Sequence, residues 1–167
     1  MKIVRPNQAA PVNAPVSLWF HVGDPWRRVT EQRRYAAATQ ENMIAPEHFE
    51  VMEGYCCYRL SGQGPLAEAA GKVIQAIDYS REQKMRNLLI DTTNWTGHES
   101  PDIWERFRWA EAFADAARST VKLAMVVRPE MMDPDKFEAT VARNRGLMGN
   151  VFDSEKDALA WLLAPTV

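Results

Sequence analysis

Between Phe49 and Leu163 the chain alternates short apolar runs with longer segments whose apolar residues recur at helical spacing, and this limits the fold more than any other feature. Phe49-Glu-Val-Met-Glu53 and Tyr55-Cys-Cys-Tyr-Arg-Leu60 flank Gly54, predicting two strands joined by a tight turn. Gly62-Gln63-Gly64 reads as a second turn, too short for a phosphate-binding loop. Gly64-Pro65 opens a helix carrying Leu66, Ala70, Val73, Ile74 and Ile77 on one face. Asn87-Leu-Leu-Ile-Asp91 is suited to a buried strand. Ser100-Pro101-Asp102 then supplies a cap, a first-turn proline and an acid near the positive end of the helix dipole. The helix it starts places Ile103, Phe107, Ala110, Ala114 and Ala117 together.

The same grammar returns downstream. Val121 to Val127 predicts a buried strand, and Asp133-Pro134-Asp135 starts a helix with Phe137 and Val141, ended by Gly146 and Gly149. Val151-Phe152 predicts a last short strand. Ser154 with Asp157 three residues on resembles a capping box before Ala158, Leu159 and Leu162. Alternation of this kind predicts an α/β domain over 49–167. Its sheet is small, mixed and mostly parallel, with four to five strands, helices packed on it and an antiparallel edge from the first hairpin.

Residues 1–48 differ in character. They hold five of the ten prolines and a net charge of +2, against −4 for the remainder. This composition predicts an N-terminal arm, partly extended, with a helix over 25–43 in which Arg27, Arg28, Arg33 and Arg34 are locally basic. A formal net charge of −2 for the whole chain argues against nucleic acid as a partner. The only cysteines, Cys56 and Cys57, are adjacent, which rules out a disulfide framework and fits a reducing compartment. With no long apolar run and no apolar leader in the first residues, the expected location is cytoplasmic, with peripheral membrane contact left open.

In open α/β sheets ligands gather beyond the carboxyl ends of the strands. Here that edge carries Asp91, Thr92, Thr93, Trp95, His98, Glu99 and Ser100, followed by Trp104, and 92–104 is the expected binding surface. Ser100 reads as a helix cap or as a phosphate acceptor beside the dipole. His98 beside Glu99 suggests acid–base work and hence a small hydrolase, but no nucleophile motif accompanies them. His21, His48 and His98 are scattered and the cysteines point to opposite strand faces, so neither a metal nor a cofactor is expected.

Leu88-Leu-Ile-Asp91, Lys122-Leu-Ala-Met-Val-Val127 and above all Val151-Phe-Asp-Ser-Glu-Lys-Asp-Ala-Leu-Ala-Trp-Leu162 resemble the SpoIIAA-like branch of the STAS superfamily over about 49–163. The resemblance implies a bacterial, non-catalytic regulatory or ligand-carrying module, some relatives being regarded as carriers of apolar molecules able to associate with membranes. It also implies a phosphorylatable serine at the start of the helix after the central strand. Glu99 falls at the preceding acid, Ser100 at the first hydroxyl position and Pro101 at the second; a one-residue gap brings Ser100 to the acceptor position.

Six tryptophans are many for 167 residues, and Trp95, Trp104 and Trp109 crowd one region with Phe107 and Phe113. A helix apolar over more than half its circumference needs something to cover its second side. The candidates are the N-terminal arm, a second copy in a homodimer, or an apolar ligand or membrane surface. For the last, Trp104, Phe107, Met131 and Met132 would line a cleft. The leading expectation is a regulatory module binding an unidentified protein partner through 92–104; the alternative is a carrier or sensor of an apolar small molecule or lipid.

Overall fold

Gly54, at φ +84°, closes a two-residue turn between β1 (Phe49–Met52) and β2 (Tyr55–Gln63), which pair antiparallel with Met52 opposite Tyr55. The computed structural model describes residues 44–165 apart from Pro134 and Lys136; the expected arm and its helix over 25–43 lie outside the described residues. After β2 the chain runs through α1 (Leu66–Glu82), β3 (Asn87–Thr96), α2 (Ile103–Ala117), β4 (Lys122–Val126), a 3-10 turn at Pro129–Met131, α3 (Phe137–Asn144), β5 (Met148–Phe152) and α4 (Glu155–Leu163). The five strands lie in chain order, and every pair after the first hairpin is parallel. The described residues therefore form an α/β domain with a mixed, mostly parallel sheet.

Strand side chains alternate between two faces, and the register aligns equivalent positions across the sheet. Cys57, Leu89 and Ala124 fall in one row and pack, with Val126, against Ala158 and Leu162 of α4. Leu88 and Leu123 fall in the neighbouring row, which faces the layer of α1, α2 and α3. The adjacent cysteines are thus both buried, both free and on opposite faces. Burial pushes the Cys57 thiol up to about 11 and also raises that of Cys56.

Polar groups hold the α4 face. Lys122, buried in β4, donates from Nζ to the carbonyl oxygens of Trp161 and Ala164, both at 2.9 Å, and lies 4.7 Å from the Trp161 ring centre. A cation on the last carbonyls of α4 answers the negative end of its dipole. At the other end of the helix, Arg59 bridges Asp91 at 3.1 Å and Glu155 at 2.8 Å. These partners hold the guanidinium above its ordinary pKa, first through the hydrogen bond with Glu155, which outweighs the opposing effect of burial.

Several boundaries depart from the sequence reading. β3 does not stop at Asp91: it continues to Thr96 because Asn94, Trp95 and Thr96 pair with Ser61, Gly62 and Gln63, past a register shift after Arg59. Gly62-Gln63 is accordingly strand rather than turn. Gly62 sits at φ +133°, and a Cβ there or at Gly64 would come within 3.0 Å of the Trp95 ring, so both glycines make room for this indole. The cap of α2 is Asp102, not Ser100: its carboxylate accepts from Glu105 N at 2.8 Å while the Glu105 carboxylate accepts from Asp102 N at 3.0 Å. Ile103 lies on the exposed side of α2, not with its core face. Gly149 belongs to β5, which begins at Met148, while Gly146 at φ +80° follows the end of α3. Ser154 does cap α4, accepting from Asp157 N at 3.4 Å.

Candidate functional site

The helices facing Leu123 and Met125 present small side chains. Ala69 and Ala70 of α1, Ala110 of α2 and Ala139 and Ala142 of α3 all turn toward the sheet, opposite Gly149 of β5. Alanine lets a helix pack closely over strands but fills little volume, and three such helices over one glycine leave a hollow. A cavity of about 110 Å³ results, many times the roughly 10–15 Å³ that one water requires. Larger apolar groups complete its walls: Leu66 and Val73 from α1, Trp109 and Phe113 from α2, and Val127, Leu147 and Val151 from the sheet edge.

The mouth is built by the loop after β3 and the loop after β4. Trp95 is buried, donates from Nε1 to Gly64 O at 3.1 Å, and forms one wall with His98 and Pro101. Both ring nitrogens of His98 face backbone carbonyl oxygens, Nδ1 toward Glu99 at 3.0 Å and Nε2 toward Trp95 at 3.2 Å, so the ring ties this loop together. Opposite, Arg128 and Met131 line the cavity from the segment around the 3-10 turn. The polar lining is small. Thr92 Oγ1 donates to Val126 O at 3.1 Å, and Asn150 Oδ1 accepts from Val151 N at 3.0 Å. Arg106 donates to Ser100 Oγ at 3.2 Å. No aspartate or glutamate lies among the lining residues.

The residues expected at the sheet edge are divided by this geometry. Thr92, Trp95 and His98 line the cavity. Asp91 is buried on the α4 face, where Oδ2 accepts from Arg59 and Oδ1 accepts from Thr93 N at 2.9 Å and Thr93 Oγ1 at 2.7 Å. Glu99 and Ser100 are exposed, and Trp104, 70% exposed, is directed away from the cavity beside the exposed Ile103. Of the four residues expected in an apolar cleft, Met131 lines the cavity and Trp104, Phe107 and Met132 do not; Phe107 instead stacks under Arg145, 5.6 Å from its ring centre. The neighbours His98 and Glu99 do not form an acid–base pair, because the imidazole meets the backbone of Glu99 and not its carboxylate.

No family model, curated protein or solved structure matches the chain. Sequence reasoning placed Ala70 and Ala110 on apolar helix faces but missed the hollow that they shape with Ala69, Ala139 and Ala142. The signal was present in Ala69, Ala70, Ala110, Ala139 and Ala142, which fall on the inward faces of three successive helices among larger residues such as Val73 and Phe113.

Proposed function

We propose that this chain is a non-enzymatic α/β module that binds an apolar small molecule between its sheet and its three-helix layer. One observation carries the reading: a cavity of about 110 Å³, walled by alanine and larger apolar side chains, lies toward the carboxyl edge of the parallel strands of a mixed sheet. Burial of apolar ligand surface would contribute ~25 cal/mol per Å² before ordering costs, enough for a small hydrocarbon body to bind. The SpoIIAA-like resemblance supports the same reading, since it implies both this layer order and a ligand-carrying role. Binding of a fluorescent apolar probe tests it. The native chain should take up the probe and release it to competing alkanols, and Ala110→Leu, which fills the hollow, should lose it while remaining folded. Equal binding by native protein and Ala110→Leu, or none by either, contradicts the proposal.

A second reading, contact with a protein partner, draws on the exposed pair Ile103 and Trp104 at the start of α2, next to exposed Glu99 and Ser100. Trp104→Ser should abolish such contact and leave probe uptake unchanged. Retention of every partner by that variant removes this second reading.

A further inference from the structure

We infer that the ligand is an amphiphile with an anionic head, a single-chain carboxylic acid, whose acid group is recognised by Arg128 at the mouth of the cavity. The inference rests on the cavity being a ligand site and adds the chemistry of what enters it. Two cationic side chains, Arg106 and Arg128, line the mainly apolar cavity together with the neutral polar groups of Thr92 and Asn150 and the ring of His98, and no carboxylate does.

Arg128 carries the argument furthest. Its Nε is buried and makes no hydrogen bond among the described residues. Glu130 Oε1 stands 3.0 Å from that nitrogen as an ion-pair partner, yet outside hydrogen-bond geometry, and its side chain is 66% exposed. A buried N–H left without an acceptor is costly, and a ligand oxygen is one group able to meet it. A guanidinium suits this because its planar fork matches a carboxylate in two parallel hydrogen bonds. Glu130, exposed to solvent, can exchange Arg128 for water as the acid group arrives, so the incoming anion need not break a buried pair. The apolar wall then takes the hydrocarbon body.

Isothermal titration with octanoate, decanoate and dodecanoate, each compared with the alcohol of equal length, tests the inference. Decanoate should bind roughly tenfold more tightly than decanol, as one charge-assisted hydrogen-bonded contact supplies. Arg128→Gln should remove that preference while decanol affinity stays within about twofold. The native protein gives an independent measure, because the decanoate-to-decanol affinity ratio should fall as ionic strength rises. Equal affinity for acid and alcohol in the native chain overturns the anionic head and leaves the apolar site standing. Absence of binding by every acid and alcohol overturns the site and the head group together.

Discussion

The two faces of the sheet are made from the same alternating strands yet end in different states. On the α4 face, Cys57, Leu89, Ala124 and Val126 meet Ala158 and Leu162 in a filled cluster, secured by Lys122 at one end of the helix and by Arg59, Asp91 and Glu155 at the other. On the opposite face, Leu123, Met125 and Val151 meet three helices that line the cavity with five alanines beside Leu66, Val73, Trp109 and Phe113, and a hollow remains. Both faces are apolar. What separates them is volume: the closed face matches side-chain size to the available space, and the open face withholds it. One layer can therefore stabilise the fold while the other is kept for a ligand.

The largest effect that sharpens this contrast is expected at Leu162, 1% exposed in the closed cluster. Leu162→Ala should lower unfolding free energy by ~2–5 kcal/mol in urea titrations, leaving probe binding by the folded fraction intact. A loss under ~1 kcal/mol would mean that the α4 face is not tightly packed.

Alkali acts on the same face. The Cys57 thiol is held at about 11 in the folded chain against an ordinary 9.0, by burial above all, with Arg59 opposing the rise and Glu155, Glu50 and Asp91 adding to it. Because the folded pKa is raised, the neutral thiol's contribution is complete below pH 9, where both states are protonated. It declines as the unfolded chain ionises first, and is gone once the pH passes about 11. Chemical denaturation in this window should show a decline of order 2 kcal/mol, absent in Cys57→Ala after correction for other titrating groups.

The smallest effects form the sharpest pair, because one substitution should have opposite signs on the two faces. Ala158→Leu, in a filled position, should destabilise by ~1–3 kcal/mol through overpacking. Ala110→Leu, at the hollow, should stabilise by ~0.5–2 kcal/mol as cavity filling does. Thermal unfolding of both variants reads the difference, and a common sign would erase the distinction between the faces.

The sequence made the layer order legible because each strand and helix declares itself locally. Short continuous apolar runs such as Asn87–Asp91 have the length of a buried strand, and Ser154 with Asp157 marks a helix start within four residues. What was hidden depends on partners distant in the chain. β3 reaches Thr96 because Trp95 finds Gly62 across the sheet, and nothing local to Thr92–Thr96 announces that pairing. Ser100 and Asp102 both precede a plausible helix, and only the reciprocal bonding of Asp102 with Glu105 decides between them. The site was half legible. Thr92, Trp95 and His98 fell within the expected 92–104 surface and Met131 within the alternative apolar cleft, whereas the alanine hollow arises from what three helices leave empty, and an alanine in sequence reads equally as filler.

The central claim is that ligand enters the hollow face and not the filled one. Methyl-resolved nuclear magnetic resonance of the full chain, titrated with decanoate, tests it directly. The methyl signals of Val73, Leu123, Met125 and Val151 should shift together and saturate with one affinity, while those of Leu89 and Leu162 stay in place. Shifts centred on Leu89 and Leu162, or no saturable shift at Leu123 and Met125, would contradict the account.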